Sequence, residues 1–161
     1  MQNSNDFYLP EPIESFRDEY YFLSNFYPCD INYGGIIYKS AEAAFQAQKC
    51  ATEDGKRAYT TYTPSQAKWH GRREKILSLQ WWESNKVRIM HDIVKAKFVQ
   101  NPDLLNRLLA TNGTLLIEGN TWHDNYWGRC TCPRCQKRAT KGQNMLGAIL
   151  MRVRSEIKNG I

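Results

Sequence analysis

Residues 82–100 read WESNKVRIMHDIVKAKFVQ, and this stretch decides the fold class. Its apolar side chains Val87, Met90, Val94 and Phe98 recur at the roughly 3.6-residue period of an amphipathic helix. Trp81 and Trp82 open it. One is expected in the core and the other as a stacking platform, with Lys86 one turn beyond Trp82 on the same face. Downstream, Asn101-Pro102 restarts a helix with Leu104, Leu105, Leu108 and Leu109 inward, and Asn112-Gly113 ends it, because both residues tolerate the left-handed conformation. A short strand is expected over residues 114–117. The last helix is predicted over residues 144–158, with Leu146, Ile149, Leu150, Val153 and Ile157 as its buried stripe. Upstream, Thr63 before Pro64, with Gln66 three residues after Thr63, has the pattern of a capping box. Ser40 caps a helix expected to reach Cys50. Ile31-Asn-Tyr and Ile36-Ile-Tyr flank Gly34-Gly35, which reads as a tight β-hairpin. The sum is an α+β fold, predominantly α-helical, with a small β-sheet or hairpin.

The 161 residues suit one domain, assigned to residues 13–161 behind a loose polar arm at residues 1–12. A hydrophobic fraction of 42% with 12% aromatics supports a packed core and argues against disorder. The net charge of +6 favours an anionic ligand such as a phosphate, a nucleotide or nucleic acid; lysines on solvated faces would give the same count. No window approaches the roughly 20 apolar residues of a membrane span, and the first residues lack the pattern of a signal peptide. Five cysteines, three of them in Cys130-Thr-Cys132-Pro-Arg-Cys135, suit thiols or a metal better than a disulfide framework, so a cytoplasmic location is expected.

Four places carry candidate chemistry. In Ser40-Ala-Glu-Ala-Ala-Phe-Gln-Ala-Gln-Lys49, helical geometry brings Glu42, Phe45, Gln46 and Lys49 to one face. The competing reading is a solvated Glu and Lys at the border of an amphipathic helix. Asp124-Asn-Tyr-Trp127-Gly128 joins a carboxylate, an amide and two aromatics, which suit a nucleoside pocket: rings stack on a base and polar groups fix a sugar. A loop held down by Trp127 is the alternative. Gly142-Gln-Asn-Met-Leu-Gly147 opens the last helix, where glycine permits close backbone approach and free amides could meet a phosphate; simple packing is the commoner cause. Cys130, Cys132 and Cys135 are candidate ligands of a structural zinc, with His123, Cys29 or His70 as the fourth; a thiol-rich surface loop is the alternative.

Taken together, ordered blocks resemble the NADAR family, also called YbiA-like. They are Phe22-Leu-Ser-Asn-Phe-Tyr-Pro28, Tyr38-Lys-Ser-Ala-Glu42 with Phe45-Gln-Ala-Gln-Lys49, Trp82 with Lys86-Val-Arg-Ile-Met90, Lys97-Phe98, Leu116-Ile-Glu118, Asp124-Asn-Tyr-Trp-Gly128, and Gly142-Gln-Asn-Met-Leu-Gly147 with Leu150-Met-Arg152. The resemblance implies a YbiA-like fold and N-glycosidase activity. Family members act on two substrate classes: phosphorylated ribosylamino-pyrimidine intermediates of riboflavin synthesis, and ADP-ribose carried on guanine in nucleic acid. Carried over by motif, the functional residues are Glu42, Trp82 and Asp124. Between Gly128 and Gly142 the chain departs from the riboflavin-type pattern and reads RCTCPRCQKRATK. Arg129, Arg134, Lys137, Arg138 and Lys141 favour a larger polyanion, so removal of ADP-ribose from guanine in DNA or RNA is the preferred expectation.

Cleaving a ribose–nitrogen bond builds positive charge at the anomeric carbon, which a carboxylate stabilises while orienting water. Glu42 or Asp124 is expected in that role, and the other would hold ribose hydroxyls or protonate the departing base. Lys49 would bind phosphate or tune Glu42, and Trp82 and Trp127 would stack on the base. Asn25 and Asn144 would bind sugar or phosphate. Phe26, Gln46, Lys86, Tyr126 and Gly128 complete the expected substrate-binding set. The chemistry itself calls for no metal or redox cofactor. A reading of another class is a non-catalytic nucleotide- or nucleic-acid-binding module with a zinc-stapled loop.

Overall fold

The computed structural model describes residues 10–161. In chain order these form a 3-10 helix (Asp18–Leu23), strands β1 (Ile31–Tyr33) and β2 (Ile36–Tyr38), and helices α1 (Ala41–Ala47), α2 (Glu53–Ala58), α3 (Pro64–Gly71), α4 (Leu79–Val99) and α5 (Pro102–Ala110). Strands β3 (Gly119–Asn120) and β4 (Arg129–Cys130), a short helix α6 (Pro133–Gln136) and the terminal helix α7 (Met145–Lys158) follow. Most of the arm expected at residues 1–12 lies outside the described residues. Residues 10–12 are exposed, and burial begins at Ile13.

Helix α4 starts earlier than Trp82 because Ser78 caps it, its hydroxyl accepting a hydrogen bond from the Trp81 amide at 3.2 Å. Its buried side chains are Trp82, Ile89, Met90, Ile93, Val94, Lys97 and Phe98, one stripe of a regular helix. Val87, expected in that stripe, is half-buried. Against the stripe pack α7, α1, α5 and β1, so α4 is the axis of the domain. Helix α7 meets it through Leu146, Ile149, Leu150 and Val153, while Ile157 stays half-buried. Each such side chain contributes about 2 kcal/mol on full burial.

The hairpin follows its sequence. Gly34 and Gly35 have φ of 62° and 81°, the pair of left-handed residues a two-residue turn needs, and Ile31 pairs with Tyr38. Gln100, which ends α4, clamps the hairpin's edge: its side chain accepts from the Asn32 amide at 2.8 Å and donates to the Asn32 carbonyl at 2.9 Å. Thr63 and Gln66 form the expected capping box at the head of α3.

Two further elements differ from expectation. Helix α1 stops at Ala47, because the amides of Gln48, Lys49 and Cys50 bond to carbonyls three residues back and tighten the last turn. Residues 114–117 form no strand beyond a single bridge between Ile13 and Leu116. Side chains take the place of a ladder there: Arg154 donates to the carbonyls of Thr111 and Thr114, and Asn144 donates to that of Leu116. The parallel pair β3–β4 follows instead.

Candidate active site

Helix α1 supplies the floor of a cleft of about 690 Å³. Glu42, Phe45, Gln46 and Lys49, the residues that share a face in sequence, all line it. The solvated-face reading is overturned, since Glu42 is only 7% exposed. The Glu42 amide donates to the Asn25 carbonyl at 2.9 Å, which ties the start of α1 to the turn after the 3-10 helix. Gln46 donates to Glu42 Oε1 at 2.8 Å. Burial pushes the Glu42 carboxyl above its ordinary pKa, and the Gln46 hydrogen bond with nearby Lys68, Lys49 and Arg72 pulls the other way. Lys49 donates to the Gly71 carbonyl at 3.0 Å and lies 5.5 Å from the Trp82 ring centre. Burial lowers its pKa, partly offset by Glu42.

Aromatic rings form one wall. Phe45 meets Trp82 at 5.2 Å and Trp127 at 5.4 Å between ring centres. Trp82 is buried and lines the cleft, whereas Trp81 is 52% exposed and does not. Across the mouth, Lys68 of α3 lies over Phe26 at 5.6 Å and over Trp122 at 5.9 Å. Arg17, Arg72 and Lys86 add further positive charge to the lining.

A second wall, continuous with the aromatic one through Trp127, is the segment between β3 and β4 together with Glu118 before it. Asp124 Oδ1 accepts from the amides of Tyr126 (3.1 Å) and Trp127 (2.9 Å), a side-chain-to-backbone turn that fixes the carboxylate. The buried Asn120 holds the Asp124 backbone at both ends, donating to its carbonyl at 2.7 Å and accepting from its amide at 3.2 Å. Glu118 stands beside Asp124. Loss of water around Glu118 raises its pKa to about 7; the neighbouring Asp124 and Glu42 carboxylates raise it too, against Lys68 and Lys97. The cleft thus gathers three carboxylates from two distant stretches of chain, Glu42 from one and Glu118 and Asp124 from the other.

Glu118 received no role from sequence reasoning, although it sits in the quoted block Leu116-Ile-Glu118. An acid directly after two buried aliphatics was the available signal. Lys68, Arg72 and Arg17 carried no such signal, because an amphipathic surface helix or arm shows basic residues just as often.

Asn25, Phe26, Gln46 and Lys86 line the cleft, and Trp127 joins them. Asn25 Oδ1 and Gln46 Oε1 are buried without a hydrogen-bond partner among the described residues, and Gln46 Oε1 packs against Gly71. Tyr126, Gly128 and Asn144 do not line it. Tyr126 packs beside Trp127 and under Lys86, 4.3 Å from its ring centre. Gly128 has no room for a side chain, since a Cβ would lie 2.4 Å from the Glu118 carbonyl oxygen. Asn144, at φ 54°, is buried; its side chain accepts from the Glu118 amide at 2.9 Å and donates to the Leu116 carbonyl at 2.9 Å. It therefore positions the Glu118 backbone.

The helix start expected to meet phosphate is occupied. Amides of Gln143, Asn144, Met145 and Leu146 donate to carbonyls of Asn125, Gly128, Tyr126 and Trp127. Close packing explains the glycines: a Cβ on Gly147 would lie 2.2 Å from the Leu116 carbonyl oxygen.

Cys130, Cys132, Cys135 and His123 form a cluster whose ligand atoms all lie within 4.8 Å of one another. Of the three candidates for a fourth partner, only His123 is there. Cys29 lies against the Tyr27 carbonyl, and His70 stacks on Tyr62 at 4.3 Å. Among the described residues, no helix is long and apolar enough to cross a membrane.

Comparison with known proteins gives the family and the fold. Residues 7–158 match the NADAR domain family. The chain is 33% identical to the N-glycosidase YbiA of Escherichia coli over 144 residues, covering 89% of this chain and 85% of YbiA. It is 35% identical to a riboflavin biosynthesis protein of Vibrio vulnificus over 94% of this chain, but spans only 38% of that protein's length. The NMR structure of E. coli YbiA superposes with a TM-score of 0.75, covering 92% of this chain and 84% of that one. The chain belongs to the NADAR family and has its mostly helical, YbiA-like fold.

Proposed function

We propose that this protein is an N-glycosidase that hydrolyses the bond between a ribose and a base on a phosphorylated substrate. The observation that carries this reading is the opening of Glu42, Glu118 and Asp124 into one cleft with aromatic walls and a basic rim. Relatives named N-glycosidase support it. As the carbon–nitrogen bond breaks, its electron pair leaves with the base and positive charge grows on the anomeric carbon. Glu42 or Asp124 faces that charge and orients the water, taking its proton as the water oxygen bonds to the carbon. Glu118, near neutrality in pKa, suits the proton transfer: protonated, it gives a proton to the departing base nitrogen. Trp82 and Trp127 hold the base; Lys49, Lys68 and Arg72 hold phosphate.

ADP-ribose on guanine in nucleic acid is the substrate we favour. A cleft of about 690 Å³ takes a ligand larger than a single ribose phosphate, and the basic stretch at residues 129–141 suits a polyanion. The second reading, riboflavin-pathway ribosylamino-pyrimidine phosphates, is favoured by the name of the Vibrio relative. The two separate when the protein is incubated with an ADP-ribosylated guanosine oligonucleotide and, in parallel, with a ribosylamino-pyrimidine phosphate. Mass spectrometry then shows which sugar is freed. Glu42→Gln keeps the side chain's shape, so turnover is expected to fall roughly 10²- to 10⁴-fold with little unfolding. Release of neither sugar by the wild type refutes the enzyme reading and leaves a nucleotide-binding module.

A further inference from the structure

His123 Nδ1 lies 3.4 Å from Cys132 Sγ, 3.4 Å from Cys135 Sγ and 4.0 Å from Cys130 Sγ. A tetrahedral zinc with sulfur at about 2.3 Å and nitrogen at about 2.0 Å sets neighbouring ligand atoms roughly 3.5–3.8 Å apart. The four side chains already stand near those vertices, and none of the thiols is in a disulfide. Three local devices deliver them. Cys130 lies on β4, its amide donating to Asn125 Oδ1 at 3.0 Å. Cys132 caps α6 and Cys135 sits within it, so two sulfurs face the same point from one turn. His123 is held at φ 68°, an uncommon conformation for a residue with a side chain.

The surroundings suit thiolates. Asn125 Nδ2 donates to Cys135 Sγ at 3.3 Å, and the Cys135 amide donates to Cys132 Sγ at 3.4 Å. Such outer donors stabilise sulfur ligands and fix their orientation. Three thiolates and one neutral imidazole around a divalent ion carry a net charge of −1, which Arg129, Arg134 and Lys137 on the same stretch offset. A soft, sulfur-rich, four-coordinate set selects zinc and leaves no open position, which marks a structural site.

We infer that Cys130, Cys132, Cys135 and His123 bind one structural zinc, which clamps the wall of the cleft that carries Asp124. His123 both joins the cluster and lines the cleft, and Asp124 is the next residue. Asn125, the residue after that, bonds to the cluster from the other side. Metal binding thus fixes the three consecutive residues that present the carboxylate. The occupancy claim stands independently; the claim for the wall rests on the proposed N-glycosidase function.

The test uses the full chain without an affinity tag, grown with added zinc. Elemental analysis is expected to find one zinc per chain. Cobalt replacement is expected to give the intense visible bands of a tetrahedral site with a thiolate charge-transfer band. Cys132→Ser and Cys135→Ser should lose the metal, whereas Cys29→Ser should keep it. If a variant does not fold, alkylation of the wild type decides: Cys130, Cys132 and Cys135 should react with a maleimide only after a strong chelator is added. A wild type without zinc, an octahedral cobalt spectrum, or thiols that react equally with and without chelator would overturn the site. Chelation should also lower kcat/KM for the N-glycoside at least tenfold while far-ultraviolet circular dichroism holds, and zinc should restore it. Unchanged kcat/KM in the zinc-free protein overturns the wall's dependence on metal. A protein that holds zinc but frees no sugar from either substrate refutes the enzyme reading and leaves the zinc site standing.

Discussion

Glu118 and Glu156 are the same residue in opposite settings. Glu156, on α7, is gripped by Arg152 (2.8 Å), Lys95 (3.2 Å) and His91 (3.0 Å), and these partners hold its pKa down to about 2. Glu118 meets Asp124 and Glu42 where water is scarce, and its pKa rises to about 7. Cations around a carboxylate lock it in one ionisation state and tie elements together; here α7 is tied to α4. Carboxylates around a carboxylate leave it poised between states, which serves proton transfer and costs stability. A fold spends the first arrangement on cohesion and keeps the second for a site.

The widest gap between the two should appear in turnover. Glu118→Gln is expected to lower kcat roughly 10²- to 10⁴-fold, whereas Glu156→Gln should leave kcat within about twofold. Equal losses in the two variants would erase the distinction. The pH profile sharpens it. If protonated Glu118 is the acid, kcat of the wild type falls as pH rises through about 7. That limb should be absent from the residual activity of Glu118→Gln. Removing the like charge with Asp124→Asn should lower the Glu118 pKa, measured by NMR titration of its side-chain carboxyl carbon. A pKa that stays put would mean that burial and Glu42 set it without Asp124.

A smaller effect concerns how the Glu118 wall is held. Asn144 supplies two hydrogen bonds to the stretch at residues 116–118 from a left-handed backbone. Asn144→Ala loses both bonds and keeps the strain, so about 2–4 kcal/mol of unfolding free energy should go in denaturant titration. Asn144→Gly relieves the strain and should recover roughly 1 kcal/mol of that. If the two variants are equally stable, backbone conformation plays no part at this position.

Local grammar made much of this legible in sequence. The Gly34-Gly35 turn, the Thr63 capping box and the stripe of α4 each depend on residues within a turn or two of one another. Glu42, Phe45, Gln46 and Lys49 were readable as a set because helical spacing alone groups them. Helix α2 was not, since it buries no side chain and so leaves no hydrophobic period to read. Residues 114–117 looked like a strand because strand propensity describes the segment, whereas Arg154 and Asn144, roughly a helix's length or more away in sequence, take its carbonyls. The raised pKa of Glu118 is likewise a property of neighbours brought together by folding. Asn144 sits at a helix start that could serve a ligand; that it serves the protein's own loop is decided by the carbonyls of residues 125–128.

The most direct comparison reads both glutamates through stability alone. An unfolded glutamate titrates near 4.3. Glu118, raised to about 7, is protonated in the folded chain while ionised in the unfolded one between those values, so stability falls as pH rises through that window. Glu156, lowered to about 2, is ionised in the folded chain while protonated in the unfolded one below 4.3, so its stabilisation is full above that pH and is lost as pH falls toward 2. Replacing each by glutamine should therefore give Tm differences of opposite slope. Relative to wild type, Glu118→Gln gains stability from pH 4.5 to pH 8. Glu156→Gln is less stable at pH 7, and its deficit shrinks on acidification below pH 4. Shifts of a few degrees are resolvable by calorimetry for a domain of this size. Parallel slopes would mean that the two carboxylates sit in equivalent surroundings, and the poised state of Glu118 would go with them.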